Sequence, residues 1–77
     1  MATYSHRLKD FLRTLEARGI RPEVARREDV IAHLAALKER GLTATAILCS
    51  AAAIRCFYRH LVDRGVVTAD PTTGLKL

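Results

Sequence analysis

The chain has 77 residues, 49% of them hydrophobic, which suits one small domain and no more. Its net charge of +5 and isoelectric point near 9.9 favour an anionic partner, either nucleic acid or an anionic membrane surface. No apolar run approaches the roughly 20 residues of a membrane span, and the N-terminus leads straight into a helical pattern with no signal peptide visible. A cytoplasmic protein is expected.

Helical periodicity dominates the chain. The first predicted helix runs from about Thr3 to Arg18. Its apolar positions, Tyr4, Leu8, Phe11, Leu12 and Leu15, draw one stripe. Gly19 follows the last basic residue, as at a helix C-terminus, and Ile20 is placed to fold back onto the stripe. Arg21-Pro22-Glu23 reads as a linker that Pro22 keeps out of the first helix. The second helix is predicted from about Arg27 to Arg40, with Val30, Ile31, Leu34 and Leu37 as its stripe. Glu28 and Asp29 in its first turn and Lys38 and Arg40 in its last complement the helix dipole. Gly41 ends it.

Thr43 or Thr45 can cap the third helix, since a threonine hydroxyl accepts from an orphan backbone amide. This helix is the longest, reaching about Arg64 before Gly65 stops it. Asp70-Pro71 fits a cap followed by a first-turn proline, which predicts a short helical turn over about Pro71 to Leu75. No alternating run rich in Val, Ile and Thr stands between turn residues, so strands are not expected. The fold class is all-α: three main helices plus a short C-terminal helical turn.

At 100° per residue, Ile47, Ala51, Ile54, Phe57, Tyr58 and Leu61 gather on one side of the third helix, the side that must face the core. Thr45, Ala52, Arg55, Cys56 and Arg59 gather opposite, with Leu48 and Cys49 at the margins. No acidic residue occurs between Glu39 and Asp63. A face with small residues near its start and arginines further along suits close approach to a duplex. Threonine hydroxyls and helix N-terminal amides bind phosphate oxygens, and arginine bonds phosphate or the O6 and N7 edge of guanine. The residues alone are explained at least as well by a solvated face that happens to carry two arginines.

Other chemistry is thin. Cys49 and Cys56 lie seven residues apart on one predicted helix, roughly 10 Å between backbones and beyond the roughly 7 Å limit for a disulfide; they read as reduced thiols. Cys56 and His60 are four apart, half of a metal site, but structural zinc usually takes four ligands and no second pair is present. His6, His33 and His60 read as surface or rim residues. Tyr4 and Tyr58 sit on apolar stripes and read as core residues with wet hydroxyls. No catalytic, cofactor-binding or metal-binding residue is assigned.

Taken in order, the chain runs Tyr4-x-x-x-Leu8-x-x-Phe11-Leu12-x-x-Leu15-x-x-x-Gly19-Ile20, then a charged helix with Asp29-Val30-Ile31 near its start. Gly41-Leu42-Thr43-Ala44-Thr45 follows, then Ala52-Ala53-Ile54-Arg55-Cys56-Phe57-Tyr58-Arg59-His60-Leu61, Gly65, and Ala69-Asp70-Pro71-Thr72. This ordered set resembles the N-terminal core-binding (SAM-like) domain of tyrosine recombinases, the Xer and phage-integrase superfamily, over nearly the whole chain. The resemblance implies a small four-helix bundle that packs on one side of a recombination site, opposite a catalytic domain, the two forming a clamp around double-stranded DNA. It implicates Thr43, Thr45 and Arg55, with Arg59 one turn beyond, and Arg7 near the start of the first helix. Catalysis in that family belongs to a separate C-terminal domain. The whole of residues 1–77 is therefore expected to be a non-catalytic DNA-binding arm from a longer recombinase. Its expected partners are duplex DNA and, in the full assembly, other recombinase protomers; alone it is expected to be a monomer away from membranes. Cys49 departs from the pattern, because a basic residue is common there in the family. The alternative is a helical protein-interaction module using Leu48, Cys49, Ala52 and Cys56.

Overall fold

The computed structural model describes the backbone of residues 2–73 and the side chains of residues 6–73. The expected stripe position of Tyr4 and the far end of the expected turn at Leu75 lie outside those bounds. Among the described residues, three α-helices occur in chain order: α1 (Ala2–Ala17), α2 (Arg27–Glu39) and α3 (Ala44–Asp63). A 3-10 turn, Pro22–Val24, interrupts the segment that reads as a linker. Pro22 starts it because a fixed φ and a missing N–H suit a first helical position.

Each helix ends where glycine permits a left-handed residue. Gly19 has φ +71°; its N–H donates to the Glu16 carbonyl and the Ile20 N–H donates to the Leu15 carbonyl, at 3.0 and 2.9 Å. This pair of bonds satisfies carbonyls the helix leaves open. It also turns Ile20 back against the core, as the sequence suggests. Leu42 and Val66 repeat the long bond, to Leu37 and Leu61.

The core joins Phe11 and Leu15 of α1, Val30, Leu34 and Leu37 of α2, and Ala51, Ile54 and Tyr58 of α3. Phe11 is central: its ring meets His33 and Tyr58 edge-on, with centroids 5.3 and 6.2 Å apart. α3 packs against both other helices.

Two expectations for α2 are corrected here. Ile31 is 47% exposed, while His33 is 2% exposed. The buried set 30, 33, 34 and 37 is the true helical face; Ile31 lies 100° round from Val30 and points away. His33 is thus a core residue and not a rim residue. Its Nδ1 lies 3.1 Å from the Thr14 hydroxyl. That hydroxyl already donates its proton to the Asp10 carbonyl, so the Nδ1–H of His33 is the donor to Thr14. Burial holds the imidazole below its ordinary pKa; nearby Asp10 opposes this and Arg40 adds to it.

The C-terminal segment also packs down. Val67 and Thr72 are buried. Asp70 accepts from the Thr72 N–H at 2.8 Å and from the Thr72 hydroxyl, so it caps as the sequence suggests. Residues 71–73, however, form a hydrogen-bonded turn rather than a helix. Arg27 at the start of α2 clips this turn by donating to the Thr73 carbonyl at 2.8 Å.

Candidate nucleic-acid interface

The outer face of α3 begins at its cap. Thr43 is extended, and its hydroxyl oxygen accepts from the Ala46 N–H at 3.1 Å, which resolves the choice between Thr43 and Thr45. Thr45, one residue inside the helix, is exposed. Beyond it Leu48, Cys49, Ala52, Arg55, Cys56 and Arg59 are all exposed. These are the positions that 100° spacing sets away from the core. The first turn of α3 holds no acidic residue, so its amide dipole is not neutralised from within.

Several arginines elsewhere have partners. Arg18 pairs with Asp29 at 3.6 Å and Arg40 with Asp10 at 3.2 Å, while Arg27 is held by the Thr73 carbonyl. Arg55 and Arg59 make no hydrogen bond or ion pair among the described residues. One turn apart on one helix face, they present two unneutralised guanidinium groups to solvent.

Arg7 stands apart from them. Its guanidinium is half-buried and crosses from α1 to α3, donating to the Ala46 carbonyl at 3.1 Å and to the Ser50 hydroxyl at 3.2 Å. The structure therefore brings Thr43, Thr45, Arg55 and Arg59 onto one helix and engages Arg7 between helices. Ser50, which the sequence reading did not single out, is 2% exposed and itself donates to the Ala46 carbonyl at 3.1 Å. Its spacing of four from Ala46 was the available signal.

Tyr58 offers no nucleophile. It is fully buried, and its hydroxyl is not wet: it donates to the Pro22 carbonyl at 2.8 Å. Burial, reinforced by Asp29, Glu23 and Asp70, pushes the phenol well above its ordinary pKa. Cys49 and Cys56 are exposed free thiols. No group of three or more His, Cys, Asp or Glu side chains gathers as metal ligands among the described residues. No helix among them is long and apolar enough to cross a membrane.

Comparison with known proteins fits this architecture. The family model described as phage integrase, N-terminal SAM-like domain, matches residues 1–65. Tyrosine recombinase XerD of Pseudomonas aeruginosa (strain PAO1) is 32% identical over 74 residues, covering 96% of this chain and 25% of that protein. The chain thus spans about a quarter of the length of this curated relative. No solved structure matches the chain. With a family match across most of its length and an all-helical structure, the chain belongs to the phage integrase N-terminal SAM-like domain family.

Proposed function

We propose that this domain is the non-catalytic DNA-binding arm of a tyrosine recombinase, and that it holds duplex DNA through the outer face of α3. The observation that carries this reading is the pair Arg55 and Arg59, unpartnered among the described residues on a face with no acidic residue between Glu39 and Asp63. Thr45 to Arg59 spans about 21 Å along the helix axis, more than the roughly 12 Å width of a major groove. A helix laid in that groove meets phosphates towards both ends. Thr43 and Thr45 serve one end with hydroxyls and helix N-terminal amides; Arg55 and Arg59 serve the other with charge. Ala52 and Cys49 between them are small enough for close approach.

Phosphate contact makes affinity fall with salt, because bound protein releases condensed counterions. Few cations are on offer, so binding by this arm alone is weak. The catalytic residues of the recombinase belong to another domain, and contacts to neighbouring protomers belong to the full assembly. Fluorescence anisotropy with a mixed-sequence duplex, repeated between about 50 and 200 mM salt, tests the reading. Affinity that drops steeply with salt supports it; affinity indifferent to salt refutes it.

A second reading, protein interaction through an apolar patch, has one observation in its favour. Leu48 is 51% exposed and borders a shallow groove lined by Leu42, Ala44 and Ile47. Apolar contact would survive the salt that abolishes phosphate contact, so the same titration separates the two.

A further inference from the structure

The backbone of Ala46 is held by three side chains. Its N–H donates to the Thr43 hydroxyl at 3.1 Å. Its carbonyl accepts from Ser50 one turn on, at 3.1 Å, and from Arg7 of α1, also at 3.1 Å. Arg7 further donates to the Ser50 hydroxyl at 3.2 Å. The first turn of α3 therefore rests on a cationic strut from another helix. This strut is unusual on stability grounds. A cation near a helix N-terminus opposes the helix dipole, and Arg7 has no carboxylate partner among the described residues.

We infer that Arg7 is a positioning residue for the DNA face: it fixes where Thr43 and Thr45 stand relative to α1, and it does not itself contact the duplex. The inference rests on the DNA-binding reading above. Its physical basis is direction. The guanidinium points into the α1–α3 interface, where two acceptors hold it, and leaving them for a phosphate would exchange two existing hydrogen bonds for new ones. Both bonds leave one guanidinium nitrogen, Nη1, so what the strut needs is a cationic donor that reaches both acceptors from α1.

Salt dependence separates positioning from contact. A residue that touches phosphate contributes about 0.9 to the slope of log affinity against log salt; one that only orients its neighbours contributes nothing to it. The test compares the unaltered chain with Arg7→Met and Ser50→Ala on the same mixed-sequence duplex. Measurements are made at a temperature where circular dichroism shows all three folded. Ser50→Ala removes an acceptor of Arg7 without changing charge. The expected result is an affinity loss of about tenfold for Arg7→Met, the scale of one charge-assisted hydrogen bond, and a smaller loss for Ser50→Ala. Both variants keep the original salt slope. A slope reduced by about 0.9 in Arg7→Met would overturn the inference in favour of direct contact. Unchanged affinity in a folded Arg7→Met would overturn it in favour of a purely structural strut. If the unaltered chain shows no salt-sensitive binding, the DNA-binding reading itself fails, and this inference falls with it.

Discussion

The Tyr58 hydroxyl donates to the Pro22 carbonyl oxygen at 2.8 Å, tying α3 to the 3-10 turn that joins α1 to α2. The bond lies at a fully buried side chain; without it the Pro22 carbonyl keeps only the longer bond from the Ala25 N–H, at 3.4 Å. Tyr58→Phe keeps the ring, its edge-on contacts with Phe11 and Phe57, and nearly all its volume. The expected cost is about 1–2 kcal/mol, seen as a lowered thermal midpoint with the helical circular-dichroism spectrum retained. An unchanged midpoint would mean the hydroxyl contributes nothing net.

His33 makes stability depend on pH. Its folded pKa is depressed below the ordinary histidine value by burial, so the folded state favours neutral imidazole while the unfolded chain takes up a proton more readily. Stability from this site is fully present above about pH 6.5, the unfolded value, and is lost as pH falls below it towards the folded pKa. Thermal melts at about pH 7 and pH 5.5 should show the lower midpoint in acid. In His33→Gln, which cannot titrate, that difference should shrink. An equal pH response in the variant would place its source in other groups.

Arg55 and Arg59 are exposed and unpartnered among the described residues, so replacing either with Gln should leave stability within about 0.5 kcal/mol. Duplex binding should weaken in each variant, and the salt slope should fall by about 0.9 per arginine lost. This is the opposite of the constant slope expected for Arg7→Met. A variant that binds as tightly as the original chain would remove that arginine from the interface.

Cys49 occupies an exposed position one turn after Thr45, between the threonine end and the arginine end of the same face. A cation there would stand over the same groove. Cys49→Lys is expected to tighten duplex binding and steepen the salt slope by about 0.9, without altering the thermal midpoint appreciably. Binding unaffected by the added charge would show that the duplex does not pass over the centre of α3.

The helices and their stops were legible because periodicity and glycine report local geometry. Gly19, Gly41 and Gly65 mark the three ends, and the outer face of α3 came out residue for residue. What the sequence hid depends on partners from other helices. Ile31 is more apolar than His33, so hydrophobicity alone chose the wrong one of two positions at the margin of the stripe; the Thr14 hydroxyl makes burial of His33 tolerable. Arg7 reads as a free cation until the Ala46 carbonyl and Ser50 are brought beside it, 39 and 43 residues away in sequence. The wet hydroxyl expected of Tyr58 proved dry because Pro22 belongs to a 3-10 turn that a linker composition does not announce. Asp70-Pro71 supplied the cap it promised, but the cap serves a turn clipped by Arg27.

Whether the outer face of α3 lies on duplex DNA is read directly by a nuclear magnetic resonance titration. The isotope-labelled chain would be titrated with a mixed-sequence duplex at low salt, then again at higher salt. Amide shifts are expected to concentrate from Thr43 to Arg59 along the outer face and to recede as salt rises. Shifts confined to another surface, or none at all at low salt, would contradict it.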